Sequence, residues 1–184
     1  MSVSTKLVTA EEFAAMPDDG MVSELIRGEI IEKMSIGEFH AACVKRLNRL
    51  FITRLGARVS VGVQDPIRLA DSEPEPDVTL LLPREDEYAA LHPCPDDVLL
   101  VVEVADTSID FDRNVKGPLY AENGVVEYWI LNLFDRTLEV HRQPQPSGEY
   151  ADIRILSASD ATELAKLPGV QFIVAELFPP NVPS

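Results

Sequence analysis

Three residues of this chain have the types and order that phosphoester chemistry needs. Asp77 ends the acid-rich loop Glu73-Pro-Glu-Pro-Asp77, Glu103 lies near the end of the apolar run from Val98 to Val104, and Lys116 follows just beyond. Carboxylates on neighbouring strands can share one divalent cation, and a nearby ammonium can orient an attacking water and offset charge on a phosphate. Hard oxygen ligands completed by water suit Mg²⁺ or Mn²⁺. Taken singly, Asp77 also reads as a turn cap, Glu103 as a solvated strand-end charge, and Lys116 as a surface lysine paired with Asp112 at i,i+4. Glu103 tips the balance, because a charge within an otherwise apolar strand is costly unless paired or metal-bound. Tyr120, one turn past Lys116, faces the same way on a continuous helix.

The elements that must position these residues follow from capping and periodicity. Thr9-Ala-Glu-Glu12 is a capping-box pattern, predicting a short helix that runs to Pro17. Residues 21–27 and 29–34 read as two strands around Gly28. Ser35 to Glu38 gives a second capping box, and Val44, Leu47, Phe51 and Leu55 then recur at helical spacing until Gly56. Strands are expected near 58–63, 66–70 and 78–82. The run from Val98 to Val104 is the most apolar segment, as in the middle of a sheet covered on both faces. Residues 109–123 read as a helix that Pro118 kinks or splits, since proline lacks an amide donor. Glu127–Asn132 and Thr137–Arg142 make a hairpin, residues 149–156 a further strand, and Ile173–Phe178 a short last helix. The fold class expected is α/β, a mixed sheet flanked by helices.

At 184 residues and 46% hydrophobic, the chain suits a single domain over residues 1–184. No apolar run reaches membrane-spanning length, and the first residues carry no signal-type apolar region, so a cytoplasmic protein is expected. Cys43 and Cys94 lack metal-ligand spacing and read as reduced thiols. The net charge of −15, from 16 basic and 31 acidic residues, argues against a broad polyanion-binding surface. One basic island interrupts it: between Phe39 and Gln64 there is no acid, while Lys45, Arg46, Arg49, Arg54 and Arg58 all occur there. This is either a backbone contact for nucleic acid or the wet face of an amphipathic helix.

The ordered set Glu24-Leu-Ile-Arg-Gly-Glu29, His40, Gln64-Asp-Pro-Ile-Arg-Leu69, Glu73–Asp77, Val101–Val104, Asp112-Arg-Asn-Val-Lys116 and Glu127-Tyr-Trp-Ile130 resembles the Uma-two family of endonucleases. That family lies within the PD-(D/E)XK, or restriction-endonuclease-like, superfamily, and the resemblance runs from Thr9 to about Phe178. It implies a restriction-endonuclease-like core with a Mg²⁺ or Mn²⁺ site built from Asp77 and Glu103, and the Val104 carbonyl as a further ligand. Glu24 matches an early acidic position able to reach the same metal directly or through water. Lys116 stands in for the superfamily lysine, which is absent from its usual place two positions after the glutamate. His40, at a helix start, is a candidate for contact with phosphate or water, and Gln64 for placing water or substrate.

The function implied is metal-dependent hydrolysis of DNA phosphodiester bonds, with a homodimer expected because a double-strand break needs two sites. The apolar hairpin at Tyr128–Leu133 is a candidate for pairing the subunits. Three alternatives stand beside it: a catalytically silent nucleic-acid- or protein-binding module of the same fold, an acidic partner protein of antitoxin type, and a hydrolase of smaller phosphoesters.

Overall fold

The computed structural model describes residues 7–17, 23–32 and 36–180. The first helix, α1 (Ala10–Ala14), carries the expected reciprocal cap between Thr9 and Glu12. Strands β1 (Ser23–Ile26) and β2 (Glu29–Glu32) form an antiparallel hairpin. Its two-residue turn places Arg27 at φ 50° and Gly28 at φ 78°, left-handed backbone of the kind such tight hairpins require. The outer ends of both expected strands, residues 21–22 and 33–34, lie outside the described residues. Helix α2 (Glu38–Leu55) follows the apolar spacing and ends at Gly56, whose φ is +55°. Its N-cap is Gly37, with no side-chain cap bond, and the expected capping residue Ser35 is outside the described set.

The central sheet has six strands: β3 (Ser60–Gly62), β4 (Val78–Leu81), β5 (Val98–Ala105), β6 (Glu127–Asn132), β7 (Thr137–Pro144) and β8 (Tyr150–Leu156), adjacent in that order. Every neighbouring pair is antiparallel except β5 with β6. That parallel pair demands a crossover, supplied by α3 (Ile109–Phe111), a π turn over Asp112–Lys116, and α4 (Gly117–Glu122). All residues of β4, β5 and β6 are buried, as the apolar runs required.

Each sheet face carries its own core. On one side α2 packs Leu47 and Phe51 against Leu100, Val102 and Trp129. The other holds Tyr120, Tyr128, Ile130 and Ile67. The first core is closed by a hairpin of β9 (Ala161–Leu164) and β10 (Leu167–Ile173), followed by helix α5 (Val174–Leu177). Phe172 from β10 stacks edge-on against Phe51 and Trp129.

Two expectations are corrected and one element was missed. Residues 66–70 are irregular rather than a strand, although Ile67 and Leu69 are buried there. The β9–β10 hairpin was not foreseen, because Pro168 and Gly169 interrupt any clean alternation. The Tyr128–Leu133 segment cannot join two subunits, since β6 is hydrogen-bonded on both edges within its own chain. Among the described residues no helix is long and apolar enough to cross a membrane, and both cysteines are free.

Glu127, the first residue of the Glu-Tyr-Trp run, fastens this hairpin to the sheet. Fully buried, it accepts from the Trp129 indole at 2.9 Å, the Arg142 guanidinium at 2.6 Å and the Ala165 amide at 2.7 Å. Glu127→Ala strands a half-buried guanidinium and an amide, so unfolding in urea is expected to show a loss of about 3 kcal/mol, the scale for breaking a buried ion pair.

Candidate active site

Strand register assembles the site. Val78 pairs with Val102, and continuing that ladder by one residue sets Asp77 opposite Glu103. Gly62 pairs with Thr79, and continuing that ladder by two residues brings Gln64 opposite Asp77. A row of polar groups thus crosses the end of the sheet on the face that carries Tyr120 and Tyr128. It borders a cavity of about 390 Å³ lined by Glu24, Asp77, Glu103, Asp112 and Lys116, with Ile31, Ile36 and Phe111 forming an apolar wall.

Asp77 is held on three sides. Its Oδ2 accepts from the Val104 amide at 2.8 Å and lies 3.0 Å from His40 Nε2 at the start of α2. Its Oδ1 has only a long contact, 3.5 Å, from the Gln64 side-chain amide. Burial pushes this carboxyl up, but the His40 hydrogen bond and charge, the Val104 amide and Lys116 outweigh it, and Asp77 ends below the ordinary carboxylate range. Gln64 holds its position from left-handed backbone, φ 56°, an unfavourable conformation for a residue with a side chain.

Glu103 lies in a strand with no exposed residue, and its compensation comes from the crossover. Lys116 Nζ donates to its Oε1 at 2.9 Å and the Tyr120 hydroxyl donates to the same oxygen at 2.8 Å. Both bonds fall on one oxygen, Oε1, of a carboxylate that lines the cavity. Lys116 also reaches Glu24 at 3.1 Å, and Glu24 accepts from the Glu75 amide at 3.0 Å. Glu24 is carried there because β1 bridges the acid-rich loop through Leu25 and Glu73.

The lysine's reach depends on the π turn. Pro118 has no amide to continue α-helical bonding, and the Gly117 amide instead bonds Asp112 O, five residues back. Gly117 suits this wide turn, since an added Cβ would press to 3.3 Å from that carbonyl. The helical run is therefore not split at Pro118, which lies in the first turn of α4, but is widened by the π turn just before it, and Lys116 and Tyr120 still bond the same carboxylate. Lys116 does not pair with Asp112, whose Oδ2 accepts from Ser108 Oγ at 2.7 Å.

Four buried acids, Glu24, Asp77, Glu103 and Asp112, thus face one buried ammonium. Burial drives Glu103 up to about 8, with Lys116 pulling against it and the neighbouring acids adding to it. Burial disfavours the Lys116 ammonium, but Glu103, Glu24 and Asp112 more than offset this and raise it. Both shifts have one sense: the cluster is short of positive charge and holds its protons tightly.

That surplus is the test of fit for a divalent cation. Asp77 Oδ1, engaged only by the long Gln64 contact, and the Glu103 carboxylate are hard donors on one cavity wall, suited to Mg²⁺ or Mn²⁺. Among the described residues no three His, Cys, Asp or Glu side chains converge as a closed metal cage. Mg²⁺ sites characteristically take one or two carboxylates and leave the remainder to water and phosphate, so the donor set fits such an ion.

The eight residues singled out from sequence therefore meet in one place. Asp77, Glu103, Lys116, Glu24 and the Val104 backbone form its centre, and His40, Gln64 and Tyr120 each contact one of the two central carboxylates. Asp112 was missed as a site residue. Its signal was its position four residues before Lys116, on the same side of the crossover. The basic island is only partly free for ligands: Arg46 donates to the Glu176 carbonyl, Arg54 pairs with Glu176 at 2.8 Å, and Arg58 bonds carbonyls of its own helix end. Lys45 and Arg49 remain exposed.

A mixed sheet with paired carboxylates at a strand end and a lysine reaching over them defines a restriction-endonuclease-like α/β protein. The chain belongs to the Uma2 family, described as "Putative restriction endonuclease", which matches residues 10–176. The fold also resembles a crystal structure titled as a putative nuclease belonging to DUF820 from Anabaena variabilis. The TM-score is 0.76 at 17% identity, covering 93% of this chain and 97% of that one. No curated protein matches the sequence.

The raised Glu103 carboxyl makes the folded state take up a proton. Its contribution is full below the unfolded value near 4.5 and is lost as pH rises through about 8. Denaturant unfolding of the native chain is therefore expected to show stability falling between pH 5 and pH 9. Glu103→Gln, which cannot ionise, should flatten that fall, and an unchanged slope would contradict the assignment.

Proposed function

We propose that this protein is a Mg²⁺- or Mn²⁺-dependent endodeoxyribonuclease acting in the cytoplasm as a homodimer. The observation that carries the reading is the register that sets Asp77 opposite Glu103, with Lys116 bonded to the second carboxylate. Asp77 and Glu103 would hold the ion, with the Val104 carbonyl as a further ligand and Glu24 reaching it directly or through water. When bound, the ion supplies Lewis-acid stabilisation of phosphate charge and makes water more acidic.

The side chains divide the remaining work. His40 and the Val104 amide fix one oxygen of Asp77 and so present the other. Tyr120 does the same for Glu103. Lys116, kept charged by its acidic neighbours, is no general base; it steadies the attacking water and offsets charge as in-line attack expels the 3′ oxygen. Ile31, Ile36 and Phe111 form an apolar wall able to lie against a sugar or base, and Lys45 and Arg49 are the candidate backbone contacts. Two copies would supply the two sites of a double-strand break. A silent binding module of the same fold is the second reading, favoured by the number of basic-island arginines already engaged within the chain.

Nicking of supercoiled plasmid in Mn²⁺ separates the two. Asp77→Asn and Lys116→Ala are each expected to lower the rate at least about 100-fold. Titration calorimetry should show Mn²⁺ binding lost in the first and retained in the second. Absence of both cleavage and metal binding in the native chain overturns the enzyme, while undiminished nicking by both variants overturns the site.

Because a ligating carboxylate must be deprotonated, Mn²⁺ binding at pH 7 should release up to about one proton from Glu103, read from calorimetry in buffers of different ionisation heat. Release should fade as pH passes 8, and affinity should level off there. Proton release that does not change with pH would count against Glu103 as a ligand.

A further inference from the structure

The sheet has two unequal edges. Strand β3 closes one end with three residues, whereas β8 presents seven at the other with no strand beside it among the described residues. A long open edge is a template for pairing, and soluble proteins usually blunt it. Here it carries Ile153 and Ile155, 54% and 65% exposed. These isoleucines stand opposite His141 and Glu139 of β7, on the sheet face that bears the acid cluster: Glu103 is level with Ile130, Ile130 with Glu139, and Glu139 with Ile155.

We propose that β8 is the homodimer interface, pairing antiparallel with β8 of a second copy about a two-fold axis at Ile153. The charge pattern selects this register. Antiparallel partners share a sheet face, and a two-fold axis normal to the sheet preserves faces, so the axis must lie midway between one residue and its own copy. Centred on Asp152 it sets Asp152 against Asp152, and centred on Arg154 it sets Arg154 against Arg154.

Centred on Ile153, Asp152 of each copy faces Arg154 of the other, Ile153 meets Ile153, Ala151 meets Ile155, and Tyr150 meets Leu156. Within one chain Arg154 and Asp152 already pair at 3.0 Å, with the guanidinium 62% exposed, so exchange across the axis needs only a swing of side chains. The result is one continuous twelve-stranded sheet with both acid clusters on the same face.

The inference rests on the two-copy part of the proposed function and not on catalysis. Sedimentation velocity reads it without metal or DNA, so its failure is distinct from failure of the nuclease reading. At roughly 100 µM the native chain should sediment as a dimer. Ile153→Lys sets two ammonium groups at the axis, and Arg154→Asp sets acid against acid. Each should weaken dimerisation at least about tenfold, with unchanged far-UV circular dichroism reporting an intact fold. The double reversal Asp152→Arg with Arg154→Asp should restore it. A native monomer at that concentration, a dimer that persists in both single variants, or a double reversal that stays monomeric would overturn the proposal.

Discussion

A carboxylate inside a wholly buried strand cannot stand alone, and much of the molecule answers that demand. Glu103 forces a cation and a hydroxyl to be delivered to a sheet end that its own strand cannot supply. The crossover between the parallel strands β5 and β6 is the element that passes over this end, so Lys116 and Tyr120 reside there. The π turn then sets the phase at which the lysine arrives. Glu24 comes from the opposite direction, on a hairpin that pairs with the acid-rich loop through a single bridge.

Asp77 is held by different means. Its acceptors are engaged by a backbone amide of the neighbouring strand and by a histidine from α2, the helix covering the other core. One carboxylate therefore depends on the crossover side of the sheet and its neighbour on the α2 side. The cavity opens where the two supports meet, so its polar wall is hydrogen-bonded from both sides although it lies at the ends of strands.

Much of this was legible in the chain. The all-apolar run around Glu103 could only be a central strand, and the anomaly of a glutamate inside it pointed to compensation nearby. Periodicity located α2, and the order of short runs located the six strands. Other parts were hidden for physical reasons. Local pattern alone makes His40 look like any residue at a helix start, and its partner Asp77, 37 positions away in sequence, is set by the fold although the family resemblance had singled the histidine out. A π turn has no composition signature beyond the proline that follows it. The β9–β10 hairpin is held by burial of Phe172 and by the Glu127 clamp, neither of which local propensity reveals. The basic island read correctly as a helix face, but three of its arginines turned out to serve the C-terminal segment or their own helix end.

That last arrangement bears on how the protein would meet a polyanion. With −15 net charge and much of its basic face engaged internally, the long-range field repels nucleic acid and does not steer it inward. Most nucleic-acid-binding proteins lose association rate as salt is added. Here added salt screens a repulsion, so encounter quickens until the few short-range contacts themselves are screened. Such a protein would scan poorly along a duplex, and any selectivity would come from what fits the cavity after contact, with little contribution from electrostatic capture.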